Sequence, residues 1–131
     1  MDYHHIISAI ILTGGYSNIS SVSSSVEILR SNGSYWCSLP DLPDVREYHT
    51  QSGLFTCGGY SSMDTETSCL SFTDGRWSTS HTLQHRRWYH SSWMSQHGVV
   101  LIGGGASRNT TEILTDNGGS LPAFTLKYEI K

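Results

Sequence analysis

The feature that most constrains this chain is repetition. Double glycines stand at Gly14-Gly15, Gly58-Gly59 and Gly103-Gly104, spaced by 44 and 45 residues. Trp36 and Trp77 are 41 residues apart, and so are Arg46-Glu47-Tyr48-His49 and Arg87-Trp88-Tyr89-His90. Val26-Glu27-Ile28-Leu29 returns as Thr111-Glu112-Ile113-Leu114. Markers that keep one order and one spacing imply one supersecondary unit used about three times. Each such unit is too small to bury its own apolar face and needs its neighbours.

Each unit reads as four short strands. Ile10–Thr13, Leu54–Cys57 and Val99–Ile102 are short β-prone runs closed by glycine, whereas a helix needs about 10–12 residues. The glycine pairs allow a sharp turn or a close backbone approach without a Cβ penalty. Asn32-Gly33 and Asp74-Gly75 are tight-turn dipeptides between a third and a fourth strand. In the middle unit the strands are expected near Glu47–Gln51, Leu54–Cys57, Ser68–Phe72 and Arg76–Ser80. The outer units should repeat this, the first opening with a strand at Tyr3–Ser8 and the last closing with one at Ala123–Ile130. The serine-rich stretch from Asn18 to Ser25 is expected to be a solvated loop. No helix signature of useful length is present.

The order Gly-Gly, Val26-Glu27, Trp36, Leu39-Pro40-x-Leu42-Pro43-x-x-Arg46-x-x-His49 resembles the Kelch repeat, and the resemblance extends over essentially the whole chain. It is best in the middle unit. The third unit has no tryptophan after Glu112, with Leu121 or Phe124 standing where one is due, and the first opens on Asp2-Tyr3-His4-His5 with no arginine. The resemblance implies an all-β fold: a partial Kelch-type β-propeller of about three four-stranded antiparallel blades, over residues 3–43, 44–84 and 85–131. Gly14, Gly15, Gly58, Gly59, Gly103 and Gly104 would then be structural, and Trp36 and Trp77 would pack between blades. In the family, partners dock on the loops after Gly-Gly and before the Arg-x-x-His strand. The matching positions are Tyr16, Ser17, Asn18, Tyr60, Ser61, Arg46 and Arg87. Tyrosine and arginine are enriched at binding hot spots, although the same four long side chains could instead serve blade packing. The function implied is a protein-interaction module binding a protein or peptide, not an enzyme.

Three repeats fall short of a ring, which closes with roughly four to eight blades. The chain ends on Phe124–Ile130, which reads as a strand in progress. Further blades are therefore expected from additional sequence or from self-association. Charged residues make up only 15% of the chain, against roughly 25% in ordinary domains, as strands buried between blades would produce. A net charge of -3 gives no sign of nucleic-acid binding. The apolar run from Ile6 to Leu12 is far below the ~20 residues of a membrane span, so no membrane insertion is expected.

Seven histidines raise the question of a metal, but none shows zinc-site spacing, and His49 and His90 hold matching repeat positions, which suits a structural role. No metal and no cofactor is expected. A fragment of a galactose-oxidase-like propeller enzyme is the alternative, though no local motif supplies its ligand set, and fold alone does not confer function. Cys57 on a second strand and Cys69 on the adjacent third strand are candidates for a disulfide; the other reading makes all three cysteines buried thiols. Sequons at Asn18, Asn32 and Asn109, with the cysteines, tilt the expected location toward the extracellular side over the cytoplasm.

Overall fold

The computed structural model describes residues 9–17, 21–31, 33, 35–61, 65–95, 98–105 and 109–125. Among these every regular element is a strand. Sheet I holds β1 (Ala9–Thr13), β4 (Val26–Arg30) and β5 (Cys37–Leu39). A small hairpin pairs β2 (Tyr16–Ser17) with β3 (Ser21–Val22), the second of these inside the Asn18–Ser25 stretch expected to be loop. Sheet II holds β6 (Thr50–Gln51), β7 (Phe55–Cys57), β8 (Ser68–Thr73) and β9 (Arg76–Thr82). Sheet III holds β10 (Ser91–Ser95), β11 (Gly98–Ile102), β12 (Thr110–Leu114) and β13 (Ser120–Thr125). All pairings are antiparallel and follow chain order within each sheet. The expected innermost strand at Tyr3–Ser8 lies outside the described residues.

The register makes the repeat exact in space. Thr13 pairs with Val26, Cys57 with Cys69, and Ile102 with Thr111. The first glycine of each pair then donates its N–H to the residue that precedes that paired position on the third strand: Gly14 to Ser25 O, Gly58 to Ser68 O, Gly103 to Thr110 O. The β8–β9 turn is Asp74-Gly75, both at positive φ (53° and 80°), the mirror-image turn whose twist matches the flanking strands.

The glycine pairs are joints between sheets. Gly15 N–H donates to Arg46 O and Gly59 N–H to Arg87 O, both at 2.7 Å, which ties each sheet to the entry of the next. A Cβ on Gly14 would stand 2.5 Å from Arg46 O, and one on Gly58 would stand 2.6 Å from Arg87 O. Both residues also have φ near +60°. Only glycine meets both conditions.

Two apolar clusters fill the space between sheets. Val26 and Leu42 meet Leu70 and Trp77, with Ile11, Leu39, Leu54 and Phe72 at the margin. Cys57, Cys69 and Leu83 meet Leu101 and Leu114. The Trp77 indole is buried and donates to Pro40 O at 2.9 Å, so this tryptophan reaches back to the segment that leaves sheet I. Trp36 departs from expectation: it is 41% exposed. Its position is equivalent to Trp77, but among the described residues no sheet stands on the face of sheet I that it would pack against. In the third unit the position opposite Leu114, equivalent to Trp77 opposite Phe72, is Ser120, and neither Leu121 nor Phe124 takes it.

Candidate functional site

Arg46 and Arg87 were expected on a partner-binding face, and the structure places both at 0% exposure. The Arg87 Nη1 donates to Gly103 O (2.9 Å) and Thr110 O (3.1 Å), and its Nη2 donates to Thr110 Oγ1 (2.8 Å). Arg46 makes the same set to Gly58 O, Ser68 O and Ser68 Oγ. The guanidiniums bond the glycine carbonyls and add a second donor to the Ser68 and Thr110 carbonyls that already accept from the glycine N–H groups, and so stitch each sheet at its second and third strands. Arg87 Nε also donates to Glu112 Oε2 at 2.6 Å. The corresponding position in sheet II is Leu70, so Arg46 Nε is buried with no acceptor. Burial holds the Arg46 pKa below its ordinary value, with Glu66 and Asp44 acting against the shift. Glu112 is fully buried and also accepts from Gln84 N–H (2.7 Å) and Ser120 Oγ (2.6 Å). Burial works to raise its pKa, but these hydrogen bonds and Arg87 outweigh it and hold the carboxyl below its usual range. Ser61 is likewise buried, which withdraws it from the expected contact face.

What the same stretch does expose is tyrosine. Tyr48 and Tyr89 hold equivalent positions between the buried arginine and histidine of each unit. Both have left-handed backbones (φ 56° and 57°), at about 1–3 kcal/mol of strain each for a bulky residue. Their rings stack with centroids 4.0 Å apart and planes at 26°, and Tyr89 N–H donates to Tyr48 O. They are 43% and 59% exposed. Contact with the Tyr89 hydroxyl, and then the Glu47 carboxylate, pushes the Tyr48 pKa up to about 12. Tyr16 and Tyr60, on the equivalent residues after the first two Gly-Gly pairs, are also exposed. The side chain of Ser17 and all of Asn18 lie outside the described residues. Tyr48 and Tyr89 were not singled out from sequence, although their 41-residue recurrence beside the arginine was visible there.

His49 and His90 sit under the glycine joints. A Cβ on Gly59 would lie 2.8 Å from His49 Cβ, and one on Gly104 would lie 2.6 Å from His90 Cβ. His49 Nε2 bonds Thr13 Oγ1 (2.9 Å) and His90 Nε2 bonds Thr50 Oγ1 (3.0 Å). Burial, then the Arg87 charge, depresses the His90 pKa to about 4; burial and Arg46 lower that of His49. Both rings are therefore neutral wedges. Among the described residues no three His, Cys, Asp or Glu side chains cluster to hold a metal. No helix among them is long and apolar enough to cross a membrane. Cys57 and Cys69 lie directly across from one another at disulfide distance, with Cα atoms 4.1 Å apart, while Cys37 is an exposed thiol. A shallow cavity of about 300 Å³ opens beside Ile10 and Leu29 on the uncovered face of sheet I. Those residues are equivalent to Leu54 and Phe72, which pack on sheet I in the first intersheet cluster, so this cavity has the character of a packing seat. Compared with protein-family models and with curated proteins, the chain matches none.

Proposed function

We propose that the chain is a protein-interaction module, its three sheets being blades of a Kelch-type β-propeller that binds a protein or peptide partner through an exposed tyrosine face. The observation that carries this reading is the stacked Tyr48–Tyr89 pair, solvent-exposed and held at strained, equivalent backbone positions. Strain at an exposed aromatic is retained where the residue is used. Tyrosine also supplies large contact area with little rotamer entropy to lose. Tyr16 and Tyr60 extend the face along the loops after Gly-Gly. Arg46, Arg87 and Ser61 support it from beneath. The remaining blades come from further sequence or from another copy, and the face of sheet I that bears Ile10, Leu12 and Trp36 is where the next blade packs. The Cys57–Cys69 pair and the exposed sequon residue Asn109 favour an extracellular setting.

Selection of phage-displayed peptides on the purified chain tests the reading. Enriched peptides should lose binding to a Tyr48→Ala/Tyr89→Ala variant and keep binding to Tyr35→Ala, an exposed tyrosine in sheet I's β4–β5 connection. Failure to enrich any peptide, or equal loss with Tyr35→Ala, would overturn it.

A further inference from the structure

The tyrosine face has a feature that indicates what it binds. Glu47, at the base of the face, is 9% exposed, and its Oε2 is buried with no hydrogen-bond partner. Its backbone forms a two-way bridge with Tyr60: Glu47 N–H donates to Tyr60 O and Tyr60 N–H to Glu47 O. Directly paired residues of antiparallel strands project to the same side, so the carboxylate and the Tyr60 ring share a face. The next residue, Tyr48, would normally project to the opposite side. Its left-handed backbone breaks that alternation, and the Glu47 carboxylate acts on the Tyr48 hydroxyl. The result is a carboxylate with an unused acceptor, flanked by three exposed tyrosines, of which Tyr48 and Tyr89 present a stacked π-surface. The equivalent of Glu47 in the next unit is Trp88, whose ring fills the space above Gly105, so of these two positions Glu47 is the charged one.

We propose that Glu47, Tyr48, Tyr60 and Tyr89 form a subsite for a cationic side chain of the partner, with guanidinium as the preferred group. The inference rests on the reading of the tyrosine face as a peptide-binding surface. A buried carboxylate oxygen with no donor is unfavourable in the free protein, and an entering N–H donor removes that penalty. Aromatic faces attract cations, and a planar guanidinium stacks on a ring while its edge donates to a carboxylate. An ammonium offers the charge without the plane. Tyr48 and Tyr60, on either side of the carboxylate, are 43% and 42% exposed, so the group meets their rings from solvent. The chain's net charge of -3 does not oppose its approach.

The test is NMR titration of the chain, isotope-labelled on tyrosine rings, with acetyl-Gly-Arg-Gly-amide and with the same peptide carrying citrulline, lysine or glutamate. Citrulline keeps the shape and removes the charge. The arginine peptide should shift the Tyr48 and Tyr89 ring signals with a dissociation constant in the millimolar range. Citrulline and glutamate should bind at least about tenfold more weakly, the weight of one charge-assisted contact. Glu47→Gln should lose the same factor while its melting temperature, read in parallel, stays at or above the parent's, since the variant removes an orphaned charge. Equal binding of arginine and citrulline peptides overturns the proposal, and so does a Glu47→Gln variant that binds arginine as the parent does. If phage-selected peptides still depend on Tyr48 and Tyr89 while arginine gives no preference, the cation subsite fails and the peptide-binding face stands. If selected peptides ignore the tyrosines as well, both fail.

Discussion

The buried Arg87–Glu112 pair offers a sharp energetic test, because the chain carries its own comparison. Arg87 and Arg46 make the same three bonds to their second and third strands. Only Arg87 has a carboxylate at Nε, with Leu70 standing where Glu112 would be in sheet II. Replacing Glu112 by leucine copies the sheet II arrangement into sheet III. It also strips Gln84 N–H and Ser120 Oγ of their acceptor. Removing one partner of a buried ion pair costs about 3–5 kcal/mol, because the other charge stays buried. Glu112→Gln keeps the shape and much of the hydrogen bonding, so the loss should be nearer the value of one charge-assisted bond, about 1.5–3 kcal/mol. The double variant Arg87→Met/Glu112→Leu leaves no uncompensated charge but also removes the Arg87 donors from Gly103 O and the Thr110 oxygens, so its loss should be smaller than the sum of the two single losses. Urea unfolding measures all of these, with an unchanged m-value as the check that only native stability has moved. A Glu112→Leu variant within about 1 kcal/mol of the parent, or single losses that simply add in the double variant, would refute the assignment of this pair as a buried, strongly coupled lock. The pH dependence carries the same signature. A carboxyl with a depressed folded pKa stabilises the fold above its unfolded pKa, and that contribution is lost as the pH falls through the folded value.

Four further outcomes follow from the structure. Gly58→Ala should be far more destabilising than Gly75→Ala: both suffer left-handed strain of about 1–2 kcal/mol, but at Gly58 the new Cβ would meet Arg87 O while at Gly75 it meets nothing, a contrast that thermal melts will read. His90 is held neutral down to about pH 4 against an ordinary value of 6.5. Its depressed pKa contributes about 3 kcal/mol that is complete above pH 6.5 and disappears as the pH falls from there toward 4; His90→Gln should flatten this part of a stability–pH curve. Trp77→Ala should cost about 3–5 kcal/mol in urea titration, and Trp36→Ala, lacking a covering sheet, about 1 kcal/mol or less. Thiol titration of the denatured, unreduced chain should find Cys37 reactive and Cys57 and Cys69 unreactive; three reactive thiols would remove the disulfide.

Much of the architecture was legible because it is written as repeated local chemistry. The glycine spacing located the turns, the short apolar runs located the second strands, and Asp74-Gly75 located the mirror-image turn. The strands at Phe55–Cys57 and Ser68–Thr73 fall within a residue of expectation. Cys57 and Cys69 followed from strand adjacency alone. The last strand was less visible: it begins at Ser120, not Ala123, because Ser120 is anchored by Glu112 rather than by an aromatic residue.

The candidate site was another matter. Arginine is a residue of binding surfaces and also of buried networks, and one chain cannot say which until the carbonyls around it are placed. The glycine turns leave Gly58, Ser68, Gly103 and Thr110 carbonyls pointing inward, and that tertiary arrangement drew Arg46 and Arg87 inside. Tyr48 and Tyr89 lie between buried neighbours in sequence, and their recurrence alone does not say whether they face solvent or a neighbouring sheet. Their left-handed backbones, set between Arg46 and Arg87 on one side and His49 and His90 on the other, leave their rings exposed and stacked on one another. Sequence by itself determined the repeat, the strand class and the joints, because those depend on spacing and on residues with few backbone options. Which long side chains face inward, and which face a partner, was decided only by packing, because that choice depends on groups 12 to 25 residues away finding their hydrogen-bond partners in space.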